Sequence, residues 1–167
     1  MACGRPASIE EIEIPDSVTS PGRNTFRNCT SLQSAVIGDG ATYVGQYCFS
    51  GCSTLESVTL GSSVLSVGDY TFQNCTSLSE IDLPEGLTSI GQYCFQNCTA
   101  LESIDLPSTL TEMKGYSFSG SGLTEIGRTL NRTASSLSTR SIRSLPEAVS
   151  DQALTYRERV YRETSCL

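Results

Sequence analysis

Phe72-Gln-Asn-Cys-Thr-Ser-Leu78, followed by Ile81-Asp-Leu-Pro84 and Leu87-Thr-Ser-Ile-Gly91, is one complete unit of this chain, and the next unit opens with Phe95. Working outward, the five phenylalanines stand at Phe26, Phe49, Phe72, Phe95 and Phe118, each 23 residues from the last. A fixed period in the twenties marks a repeat architecture, in which each unit buries its apolar face only against its neighbours. One further step back from Phe26 reaches Cys3, where a worn copy of the same unit begins.

With Phe as position 0, the columns of the repeat can be read down the chain. Position +6 holds Ile9, Leu32, Leu55, Leu78 and Leu101, and position +9 holds Ile12, Ala35, Val58, Ile81 and Ile104. Position +11 holds Ile14, Ile37, Leu60, Leu83 and Leu106, and position +18 holds Pro21, Val44, Val67, Ile90 and Met113. Columns this apolar predict a shared interior. Positions +9 and +11 alternate with polar residues, the period of a strand with one buried face. One strand per unit at a constant offset predicts a parallel sheet, with neighbouring strands ~4.8 Å apart and five coils stacking to roughly 25 Å.

The turns are legible in the same way. Position +2 reads Asn28, Gly51, Asn74, Asn97 and Gly120. Asn and Gly best tolerate positive φ, so this column predicts a left-handed corner. Position +19 reads Gly22, Gly45, Gly68 and Gly91, then Lys114 with Gly115 beside it, and predicts a second corner. Pro15, Pro84 and Pro107 follow the strand directly, where Pro ends pairing without breaking it.

These strings resemble the BspA-like class of leucine-rich repeats over about residues 3 to 126. The resemblance implies a right-handed coil with one parallel sheet. It also implies a role like that of the family's surface proteins in bacteria and parasitic protists, which are associated with adhesion or host-protein binding. The chain departs from the pattern at both ends. Cys3 and Pro6 replace Phe and Cys in the first unit, and the sixth, Phe118-Ser-Gly-Ser-Gly-Leu123, is one residue short.

The chemistry-bearing residues point away from catalysis. The 167 residues contain no His, which removes the commonest general base and metal ligand. No nucleophile elbow, phosphate loop or nucleotide fingerprint occurs. No enzyme activity and no cofactor are expected. The cysteine column Cys29, Cys52, Cys75 and Cys98 admits three readings: a metal site, disulfides between stacked units, or small buried apolar residues. Cys48/Cys52 and Cys94/Cys98 have a C-x3-C spacing, but thiolates strung along a ladder converge poorly on one ion, which favours burial. Asn28-Cys-Thr30, Asn74-Cys-Thr76 and Asn97-Cys-Thr99 are sequons in form, as is Asn131-Arg-Thr133. The first three are better read as one corner motif repeated than as glycosylation sites.

The candidate binding surface is the outward strand face, positions +8 and +10. It comprises Glu11 and Glu13, Ser34 and Val36, Ser57 and Thr59, Glu80 and Asp82, and Ser103 and Asp105. It is acidic at both ends and neutral between, and so favours a basic protein partner over nucleic acid. Residues up to 126 carry four basic and fourteen acidic side chains, whereas residues 127–167 carry seven Arg and four acidic ones. Residues 127–143 read as a disordered Ser/Thr/Arg-rich linker. Within 144–167, Ser144-Leu-Pro-Glu147 fits a capping box that opens a helix over 145–163. A frame shift after Ile126 is the alternative origin of this tail.

The expected function is therefore a protein-binding module of a surface or adhesion-type protein. The alternatives are an intracellular interaction scaffold and a truncated or frame-shifted fragment of a longer array. Open coil ends favour edge-to-edge self-association. No window reaches the ~18 apolar residues of a membrane helix. The expected location is the cell surface or medium if the full gene carries an export signal, and the cytoplasm otherwise.

Overall fold

The computed structural model describes residues 9–124. The expected linker over 127–143, the tail helix over 145–163 and the opening of the first unit lie outside the described residues. In chain order the strands are β1 (Glu11–Ile14), β2 (Ser34–Ile37), β3 (Tyr43–Val44), β4 (Ser57–Thr59), β5 (Ser66–Val67), β6 (Glu80–Asp82), β7 (Ser89–Ile90) and β8 (Glu112–Met113). They form a parallel-strand solenoid with two sheets, ordered β1-β2-β4-β6 and β3-β5-β7-β8. The register is that of the repeat: Glu11 pairs Ser34, Ser34 pairs Ser57 and Ser57 pairs Glu80.

Two points differ from the single five-stranded sheet expected. A second sheet lies under the +18 column, where Val44, Val67, Ile90 and Met113 are buried beside Tyr43, Ser66, Ser89 and Glu112. Pro21, the equivalent of Val44 in the preceding coil, accepts a bond from the Gly45 N–H at 2.9 Å but has no N–H to give, so β3 is the edge. In the first sheet, residues 103–105 form no strand. There Asp105 would stand directly opposite Asp82, and like charges opposite one another weaken a ladder.

The core is a column of rings. Phe26, Phe49, Phe72, Phe95 and Phe118 stack with centroids 5.0–5.5 Å apart. All but Phe26 are fully buried, and Leu32, Leu55, Leu78 and Leu101 are buried beside them. Full burial of each such side chain contributes about 1.5–3 kcal/mol, which is how a chain with a thin cross-section acquires a continuous interior.

The +2 corner is left-handed as expected: φ is 60° at Asn28, Asn74 and Asn97, 77° at Gly51 and 71° at Gly120. The +19 glycines do a different job from the one expected. Gly45, Gly68 and Gly91 have no positive φ; they let successive coils touch, and a Cβ on Gly91 would lie 2.4 Å from the carbonyl carbon of Gly68. The second left-handed position comes two residues later, at Asn24, Tyr47, Tyr70, Tyr93 and Tyr116. That backbone aims the N–H at the next coil, so Tyr47 N–H donates to Asp69 C=O at 3.1 Å and Tyr70 N–H to Gln92 C=O at 2.9 Å.

Candidate functional site

The outward columns of the first sheet form two straight rows. Glu11, Ser34, Ser57 and Glu80 make one, and Glu13, Val36, Thr59 and Asp82 the other. Ser34 and Ser57 are half-buried and the other six are exposed, while Ala35, Val58 and Ile81 between them face the interior. Val36 is 44% exposed, an apolar side chain set between acidic ends. Ser103 and Asp105 are exposed as well but lie beyond the last strand of this sheet.

The thiols occupy the opposite environment. Cys48, Cys52, Cys75, Cys94 and Cys98 are free and buried, and Cys29 is disulfide-bonded. Each ladder thiol has a bonding role: Cys52, Cys75 and Cys98 donate Sγ–H to the carbonyls of Phe26, Phe49 and Phe72 at 3.0–3.2 Å, one coil back. Burial pushes Cys52 up to about 11 and both Cys48 and Cys98 up to about 12, and raises Cys75 and Cys94 well above the ordinary value of 9.0. Thiols held protonated are poor nucleophiles and poor metal ligands. Among the described residues, no three Cys, Asp or Glu side chains gather around a point that could hold a metal ion.

A second exposed row was not foreseen. Tyr47, Tyr70, Tyr93 and Tyr116 stack with centroids 4.7, 5.1 and 5.2 Å apart and interplanar angles of 2°, 19° and 6°. Tyr116 is 58% exposed, and the other three are half-buried. Arg23 and Arg27 lie over the Tyr47 ring, their guanidinium carbons 5.7 and 5.1 Å from its centroid. The signal was present in the sequence, since four of the seven tyrosines fall at the 23-residue period. Beside this row, Tyr43, Gln46, Ser66, Asp69, Ser89 and Lys114 line a shallow depression of about 170 Å³. Asp69 accepts from the Gln92 N–H at 2.8 Å and from Gln46 Nε2 at 3.2 Å, and pairs with Lys114 Nζ at 3.6 Å.

A solenoid of 23-residue coils with an in-register parallel sheet and a leucine column defines a leucine-rich-repeat protein. Residues 3–142 match the BspA type leucine rich repeat region in six copies, and the chain belongs to that family. Among solved structures, it is similar to a leucine-rich repeat protein from Bacteroides ovatus, at 36% identity and a TM-score of 0.68 over 78% of this chain and 32% of that one. A leucine-rich repeat protein from Eubacterium ventriosum matches at 34% identity and a TM-score of 0.68, over 72% of this chain and 32% of the other. A leucine rich cell surface protein from Faecalibacterium prausnitzii matches at 31% identity and a TM-score of 0.52, over 70% and 38%. The chain thus spans about a third of the length of these bacterial proteins. Among curated proteins none matches it. Among the described residues no helix is long and apolar enough to cross a membrane.

Proposed function

We propose that this chain is a protein-binding module of a surface or adhesion-type protein, and that the outward face of the first sheet is where its partner docks. The observation that carries the reading is the pair of in-register rows, Glu11-Ser34-Ser57-Glu80 and Glu13-Val36-Thr59-Asp82, facing outward over a buried apolar interior, six of the eight side chains exposed. Rows of this kind offer a repeating polar surface at fixed spacing, with Val36 as an apolar anchor and carboxylates at either end. The chemistry they fit is a basic polypeptide segment with an apolar residue near its middle. The surface location draws support from the Faecalibacterium relative, itself a cell surface protein.

No covalent chemistry enters this mechanism. Among the described residues the free thiols are buried and held protonated, and the carboxylates of this face stand in rows.

The test is a panel of Lys/Arg-rich peptides, with and without a central Leu, titrated against the whole chain. Glu80→Gln with Asp82→Asn is expected to weaken a basic binder about tenfold, as loss of two rim charges does. Val36→Ser should erase the preference for the central Leu, and Tyr70→Phe, on another surface, should change neither. Peptide binding indifferent to all of the sheet-face substitutions would sink the reading.

A further inference from the structure

We propose that the tyrosine row headed by Arg23 and Arg27 is a second docking surface, separate from the first sheet, and that it takes an acidic polypeptide segment laid along the solenoid axis.

The chemistry of the stack selects the class of ligand. Each ring is stacked on its neighbour, and the outer face of Tyr47 lies under two guanidinium groups. Apart from the outer face of Tyr116, the ring faces are therefore covered, and stacking a run of sugars or bases along the row needs open faces. What the row presents is ring edges and phenol hydroxyls. An aromatic ring is negative on its face and positive at its edge. Ring edges, O–H donors and guanidinium N–H donors together make a surface that is positive or hydrogen-donating along its length. Its complement is a chain rich in carboxylates and carbonyl oxygens.

The charge layout points the same way. The cationic side chains among the described residues are Arg23, Arg27 and Lys114, and the first two lie over the Tyr47 ring at the head of this row. Lys114 is paired with Asp69, but among the described residues neither Arg23 nor Arg27 has a carboxylate within ion-pair distance. The two guanidinium groups are thus positioned by Tyr47 with their charge uncompensated. Backbone bonds from Tyr47 and Tyr70 to the next coil hold the rings in place, so little ordering is left for binding.

The experiment uses the whole chain and fluorescence anisotropy with four labelled probes: a short Glu-rich peptide, its Gln counterpart, its Lys counterpart and a sulfated oligosaccharide. Bulk charge opposes the expected result, because the chain carries a net −7. The Glu-rich peptide is expected to bind about tenfold or more tighter than the Gln peptide, and Arg23→Gln with Arg27→Gln to remove that difference. Tyr70→Phe with Tyr93→Phe keeps the stack and removes two hydroxyls; it should weaken the Glu-rich peptide severalfold at an unchanged melting temperature. Glu80→Gln with Asp82→Asn should not weaken it. Several results would overturn the proposal. One is Glu-peptide binding unaffected by the Arg and Tyr substitutions, which would place it on the seven arginines of residues 127–167. Others are absence of binding, tighter binding of the sulfated oligosaccharide, and a concentration-dependent dimer abolished by the Arg substitutions, which would make a second copy the occupant. Should the Arg double variant melt early, the Tyr→Phe pair decides alone.

Discussion

Tyr70 has φ 60°, a conformation that a bulky residue adopts at a cost of about 1–3 kcal/mol. It stacks on Tyr47 and Tyr93, and each such contact contributes about 0.5–1.5 kcal/mol beyond simple burial. Strain and stacking are of equal size, so Tyr70→Asn, which relieves the first and loses the second, should stay within about 1 kcal/mol of the parent in urea denaturation. Tyr70→Ala loses the stack and keeps the strain, and should be clearly less stable than Tyr70→Asn. The buried thiols give a second prediction. Their folded values lie above the ordinary 9.0, so their contribution is complete below pH 9 and is lost as pH rises toward the folded values of about 11 and 12. Melting temperature should therefore fall over that window, and Cys98→Ser, which keeps a donor for the Phe72 carbonyl but does not titrate there, should flatten the fall. At this scale the sequence was legible where residue type implies geometry. Asn and Gly at +2 announced a left-handed corner; Tyr at the other corner announces nothing of the kind. Gly at +19 was ambiguous, because both positive φ and close approach call for glycine.

Among the elements, the first sheet was readable because +8 to +11 is long enough to show alternation. The second was not: β3, β5, β7 and β8 are two residues each, too short for a period, and only the apolar +18 column betrayed them. Where the first sheet stops was equally hidden in any single unit, since residues 103–105 have the same pattern as 80–82. The difference lies between units, in the Asp82–Asp105 apposition. Asp105→Thr should let the fifth rung pair and raise stability by about 0.2–1 kcal/mol, the range of one cross-strand pair. Slowed amide exchange at residues 103–105 would report the new strand, and unchanged exchange would refute the electrostatic account. The candidate binding rows inherit this boundary: Glu11 to Asp82 stand in register on a sheet, while Ser103 and Asp105 extend the surface without sharing its hydrogen bonds.

For the molecule as a whole, the repeat disclosed the architecture and the charge totals disclosed a contrast between the first 126 residues and the rest. The acidic ends of the first-sheet face were legible in the repeat columns, but it took three dimensions to show that Arg23 and Arg27 gather over Tyr47 on another surface. The hydrogen bonds that join the coils span almost uniformly 22 to 26 residues, from Thr54 Oγ1–Leu32 C=O to Cys98 Sγ–Phe72 C=O. Each coil is thus tied mainly to the one before and the one after. If the chain is stretched from its two ends, load reaches the outermost coil first and is released when that coil peels away. Every such event pays out one 23-residue length, about 8 nm of contour at ~3.4 Å per residue. Single-molecule pulling should record a sawtooth with that spacing, whereas one rupture releasing the whole solenoid would contradict it. A protein built this way yields to tension in instalments, and the coils still wound keep their surfaces intact while it does so.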